Sequence, residues 1–255
     1  MQRLFLYTFF PFILISLACQ IHNPSSGQSS RFAEDYKNSG TAKAKQGDLD
    51  GAIADFNQAI EINPSSAPVY NNRGLARKDK GDVDGAIADF SRAIEIDPHD
   101  AVAYYNRGLT RQDKGDSGGA VADYNKAIEI DPGEADFYYN RGVLRQDKND
   151  LDGAIADYSR AIEINPRFAF AYHNRGNSWK DKGNLDSAIN DYHKVIEIDP
   201  QATKAYFNRG LTLLRQGKDA EAQRDFDRFL VLDPSNKPTL DKKIAEVKRG
   251  RVVRR

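Results

Sequence analysis

A single cysteine, Cys19, stands in a chain of 255 residues. One thiol closes no intrachain disulfide and builds no thiolate metal cluster. Histidine is almost as scarce, and His22, His99, His173 and His193 fall at no spacing that suits a metal pair. Neither metal chemistry nor a cofactor is therefore expected. Net charge is missing as well, because 37 Lys and Arg balance 37 Asp and Glu. Without a global field to steer it, the chain is not expected to bind nucleic acid. Apolar residues make up only 40% beside 29% charged ones. That ratio suits an elongated body with much surface better than one deep core.

A long uncharged run occurs at the N-terminus, where Leu4 to Ala18 follows Arg3 and contains Pro11. It falls short of the roughly 20 residues that a membrane-spanning helix needs. A basic start, an apolar stretch and a small residue before a cut describe a secretory signal peptide over 1–18. The run ends Ser16-Leu17-Ala18-Cys19 and resembles a bacterial lipobox, in which the cysteine is lipidated and becomes the mature N-terminus. That family prefers Leu where Ser16 stands. Ordinary cleavage to a secreted or periplasmic chain, and an uncleaved anchor, are the alternative readings. Residues 19–32 are then expected to be a flexible tether. The stretch Gln20–Arg31 is rich in Ser, Gly and Pro, lacks the apolar area to fold, and as a coil would reach about 20 Å.

A period of 34 residues organises the chain from Ala33 to Asn236. Gly40, Gly74, Gly108, Gly142, Gly176 and Gly210 keep it, as do Pro64, Pro98, Pro132, Pro166, Pro200 and Pro234. So do Ala52, Ala86, Ala120, Ala154, Ala188 and Ala222. The six units are 33–66, 67–100, 101–134, 135–168, 169–202 and 203–236, and fixed self-similarity of this length marks a stacked repeat array. Each unit reads as two helices. In the second, Ala86, Ile87, Phe90, Ala93 and Ile94 form one apolar helical face. Asp82 or Asp84 can cap it, and Asp97-Pro98 stops it. Numbered from Ala67, that unit carries Tyr70, Gly74, Ala86, Phe90, Ala93 and Pro98 at positions 4, 8, 20, 24, 27 and 32. This pattern resembles the tetratricopeptide repeat. The resemblance implies an all-α, right-handed superhelical solenoid of six helix-turn-helix repeats. Its glycine and alanine positions would let paired helices approach, and the rings would fill the space between.

Two departures from the family pattern point to an internal ion pair. Position 7 is Arg73, Arg107, Arg141, Arg175 and Arg209 in units 2–6, while position 23 is Asp in all six. Pairs such as Arg73 with Asp89 are expected. At the far end, Leu240, Ile244 and Val247 fall at i, i+4 and i+7, an apolar stripe suited to covering the last repeat. Residues 237–255 are thus a capping helix, expected to end at Gly250, with a solvated basic tail after it.

No catalytic constellation accompanies the repeats, and the protein is not expected to be an enzyme. Gly115-Asp116-Ser117-Gly118-Gly119 spells a serine-nucleophile string, but that motif needs a strand and a sheet behind it. Here it occupies the turn between two helices, where Gly47–Gly51 and Gly81–Gly85 stand in the preceding units.

The expected partner is a protein or an extended peptide lying in the concave groove. In the resembled family the first helices line that groove with positions 2, 5, 6, 9, 12 and 13. Position 6 is Asn38, Asn72, Asn106, Asn140, Asn174 and Asn208. An amide both donates and accepts, so this ladder could hold a peptide backbone or could brace neighbouring helices. Position 5 brings Tyr105, Tyr139, His173 and Phe207, rings suited to anchoring a partner or to packing between helices. The Lys and Asn set that grips terminal carboxylates in some family members is incomplete. The chain thus reads as an exported adaptor, membrane-anchored through lipid on Cys19; a self-associating structural module is the alternative.

Overall fold

The computed structural model describes residues 26–252, and among them there are thirteen α-helices, one 3-10 turn and no strand. Helix α1 (Ser26–Lys45) packs with α2 (Leu49–Ile62), α3 (Ala67–Asp79) with α4 (Val83–Ile96), and α5 (Ala101–Asp113) with α6 (Ser117–Ile130). The series continues with α7 (Ala135–Asp147) on α8 (Leu151–Ile164), α9 (Ala169–Asp181) on α10 (Leu185–Ile198), and α11 (Thr203–Gln216) on α12 (Asp219–Leu232). Helix α13 (Lys237–Val252) closes the array against α11. Each second helix also packs on the next pair's first helix. The result is a solenoid whose core is a chain of small clusters, one handing over to the next.

Local sequence sets each boundary. Asp48, Asp82, Asp116 and Asp150 cap the second helices, accepting from the backbone N–H three residues on at 2.9–3.0 Å. In the second unit the cap is Asp82 rather than Asp84. The residue two places before the second helix must turn left-handed, and five units put Gly there, with φ of 83–89°. The fourth unit uses Asn149 at φ 60°, the best substitute because its short side chain tolerates that region. Between paired helices the alanines at position 20 have 0% exposure, and the ring at position 24 fills the gap. A Cβ on Gly142 would lie 2.8 Å from Tyr158 Cε1, which is why only glycine fits.

The expected ion pair is present in all five units. The guanidinium of Arg73 meets both carboxylate oxygens of Asp89, at 2.9 and 2.6 Å. Arg107 with Asp123, Arg141 with Asp157, Arg175 with Asp191 and Arg209 with Asp225 repeat the fork at 2.6–3.0 Å. The first unit substitutes Ser39 and Lys43 around Asp55.

Two expectations about the ends need correction. Helix α1 begins at Ser26, so Ser26–Phe32, expected as part of the tether, is helix; after Pro24 no proline intervenes to stop it running on from the first repeat. Likewise α13 passes through Gly250 to Val252. Gly250 has no positive φ, so it costs the helix only its roughly 1 kcal/mol propensity deficit. The capping itself occurs: Leu240 is buried beside Leu213, Leu214, Phe226 and Phe229. The signal segment 1–18, Cys19 and the last three residues lie outside the described residues.

A candidate groove along the first helices

Residues at positions 2, 6, 9 and 13 recur at helical spacing, so they share one face of each first helix. The structure confirms that adjacent first helices meet along it. Asn106 Nδ2 donates to Asn71 Oδ1 at 3.0 Å, Asn140 to the Tyr105 hydroxyl at 3.0 Å, and Asn174 to the Tyr139 hydroxyl at 3.1 Å. Asn72 reaches Thr41 Oγ1 at 3.4 Å, and Asn208 lies 3.4 Å from His173 Nε2. Five of the six asparagines therefore brace the preceding repeat, while Asn38, at the open end, is exposed. The ladder is a seam between repeats first.

The rings at position 5 also differ from freely exposed anchors. Tyr105 packs between Tyr124 and Phe137, with centroids at 5.9 and 4.9 Å. Tyr139 does the same between Tyr158 and Phe168. His173 leans on Tyr192 and Phe207 on Phe229, at 5.7 and 5.2 Å. All four are half-buried. Burial pushes the Tyr105 phenol up to about 12, aided by the Asp136 carboxylate. It raises Tyr139 too, and it lowers His173.

The apolar groups left facing outward are ones that the ring-and-amide pattern did not single out. Phe170 is 70% exposed and Val102 52%, both at position 2, and Leu75 at position 9 is 38% exposed. The available signal was the composition of position 2, where Phe170 stands among Glu34, Pro68, Val102, Asp136 and Lys204. Two concavities open on the same face. One, of about 260 Å³, is lined by Thr41, Lys45, Leu75 and Asp79 among others. The larger, of about 850 Å³, lies between α9, α11 and α13, with Lys180, Asp181, Leu211, Arg215 and Lys243 in its wall.

The Gly115–Gly119 string forms the α5–α6 turn, with Asp116 as the helix cap and Ser117 as the first helical residue. No group of three or more potential metal ligands occurs among the described residues, and no helix there is long and apolar enough to cross a membrane.

Comparison with known proteins agrees with this geometry. A model described as TPR repeat matches residues 40–81, 74–115, 111–148 and 176–217, and models described as tetratricopeptide repeat match 135–168 and 203–236. No curated protein matches the chain. Among solved structures, MamA is 30% identical, covering 64% of this chain and 95% of its own, with a TM-score of 0.61. YrrB, described as a TPR protein with an unusual peptide-binding site, is 25% identical over 76% of this chain and 97% of its own, with a TM-score of 0.65. The Pseudomonas aeruginosa pilF structure, at 15% identity, shares the fold over 87% of this chain and 99% of its own, with a TM-score of 0.71.

Proposed function

The chain belongs to the tetratricopeptide repeat family, and from that premise we propose that it is a non-enzymatic scaffold holding an extended segment of a partner protein in its groove. One observation carries this reading: Phe170 and Val102 stay largely exposed on the face where successive first helices line up. Large apolar side chains left open in a concave seam are what a partner buries. The frame beneath is rigid, because the arginine–aspartate forks tie the two helices of a repeat together, while the asparagine bridges and the third nitrogen of each fork arginine reach the preceding repeat. The peptide-binding site described for YrrB supports the same use of a related array.

Export and anchoring complete the proposal. A signal segment over 1–18 and acylation of Cys19 would tether the array to the membrane of a bacterial envelope, leaving the groove free to face its partner. Mass spectrometry of the mature chain is expected to find an acylated Cys19 at its N-terminus; an intact Met1 would defeat that part.

Photo-crosslinking in the native cells tests the groove. Probes at Phe170 and Val102 should give adducts with another protein, and a probe at Val231, exposed on a second helix, should give none. Equal yields from all three sites would overturn the reading. Adducts of the chain with itself would instead favour a self-associating module, for which the exposed Phe32 and Tyr36 on α1 supply an apolar surface.

A further inference from the structure

The middle of the groove carries a charge pattern that narrows its occupant. Across the groove-lining positions of the third and fourth repeats stand Val102, Leu109 and Val143, with Tyr105 and Tyr139 between them. The only charged residues at those positions are Asp113, Asp136 and Asp147, with no Lys or Arg. All three aspartates are exposed. Asp113 meets Lys78 of the second repeat at 3.1 Å, while the Asp147 carboxylate has no hydrogen bond or ion pair among the described residues. Asp136 lies at one end of α7 and Asp147 at the other, so the carboxylates flank the apolar floor. The second and fifth repeats balance, Lys78 against Asp79 and Lys180 against Asp181, and only the end repeats turn basic, with Lys37 and Lys45 against Glu34 in the first and Lys204 and Arg215 in the last.

Resting on the groove reading above, we infer that the central groove selects a cationic, aliphatic segment of a partner protein, bound extended across the third and fourth repeats. Apolar side chains of the segment cover Val102, Leu109 and Val143, and its Lys or Arg side chains reach the carboxylates on either edge. The array also sets a spacing. Adjacent packed helices lie about 10 Å apart, and a chain extended in the polyproline II form rises about 3.1 Å per residue with three residues per turn, so residues three apart share a face. Asp79, Asp113 and Asp147 occupy one position in successive repeats, so basic residues about three apart meet them in register. Acidic segments are repelled from the same stretch, which gives discrimination as well as affinity.

The test uses the purified protein and three synthetic peptides: one with Lys at every third position beside Val, its Glu counterpart and its Gln counterpart. By calorimetry the Lys peptide should bind about tenfold more tightly than the Gln peptide, as several exposed charge pairs would give, and the Glu peptide should not bind. The advantage should shrink in high salt and shrink likewise in an Asp136→Asn, Asp147→Asn variant, which keeps Asp79 and Asp113, with the helical melt unchanged. Binding of the Glu or Gln peptide as tight as that of the Lys peptide would overturn the inference, as would binding of none or an unaffected variant. Self-association lost in the variant would overturn the assignment to a partner. Failure here leaves crosslinks at Phe170 intact, so charge selection and use of the groove fail separately.

Discussion

Arg141 grips Asp157 through two nitrogens, at 3.0 and 2.6 Å, while its third nitrogen crosses to Asn125 of the preceding repeat at 2.7 Å. Arg145 adds a further bond to the same carboxylate at 2.8 Å. The carboxylate is 4% exposed, so its charge has left water for two guanidiniums. A bidentate pair in such surroundings is strong and directional, and it joins three helices.

Removing that carboxylate should therefore be severe. Asp157→Ala leaves two arginines facing a vacated, poorly solvated site, and a loss of about 3–5 kcal/mol is expected. Asp147→Ala, exposed and free of ion pairs, should change stability by less than about 0.5 kcal/mol. Urea unfolding of both variants measures this, and similar midpoints for the two would refute the argument.

A second expectation concerns the junction between the third and fourth repeats. Elsewhere a side chain at the C-terminal end or C-cap of each first helix reaches an aspartate at the start of the previous second helix: Lys80 to Asp50, Lys114 to Asp84 at 2.6 Å, Lys182 to Asp152, and Gln216 to Asp186 at 2.8 Å. At this junction the aspartate is replaced by Gly118, and Lys148 has no such partner. The left-handed turn after it is Asn149 rather than Gly. A Cβ on Gly118 meets nothing closer than Asp116 Oδ1 at 3.8 Å. Gly118→Asp should thus stabilise by about 0.5–1 kcal/mol, through helix propensity and a surface pair. Asn149→Gly should add a similar amount, about 0.5–1 kcal/mol, by relieving the left-handed backbone. Unfolding midpoints that fail to rise in either variant would count against this account.

Much of this architecture was legible because its constraints are steric and recur. A glycine facing a ring, an alanine with no room for more and a proline after each second helix can each be named from the period alone. The arginine–aspartate fork was legible for a related reason, since two charged groups recur at positions that face the core. The roles of Tyr105, Tyr139 and the asparagines were not. Positions 5 and 6 project toward the boundary between adjacent first helices, and periodicity gives their direction without giving the distance across that boundary. Only the packed array shows that Asn140 Nδ2 ends on the Tyr105 hydroxyl, making the pair a brace. The same limit hid Phe170, whose exposure depends on what the next repeat fails to cover.

His173 supplies the last expectation, a dependence of stability on pH. Its ring lies on Tyr192 and its Nε2 is 3.4 Å from the Asn208 amide nitrogen. An amide N–H can donate to that nitrogen only while it is unprotonated. Burial holds the imidazole below its usual 6.5, and the cations Lys204 and Lys180 lower it further. The unfolded chain therefore takes up this proton first as pH falls. Stability from this site is complete above about pH 6.5 and is lost as pH drops through the range below. Thermal melts from about pH 7.5 down to about pH 5, above most carboxylate titration, should show declining stability. His173→Phe keeps a ring on Tyr192, as Phe207 does on Phe229 in the sixth repeat, and removes the titrating group. Its decline over that interval should be smaller than that of the parent chain. An equal slope in both proteins would place the acid sensitivity elsewhere, and a steeper slope in the variant would reverse the sign argued for this histidine.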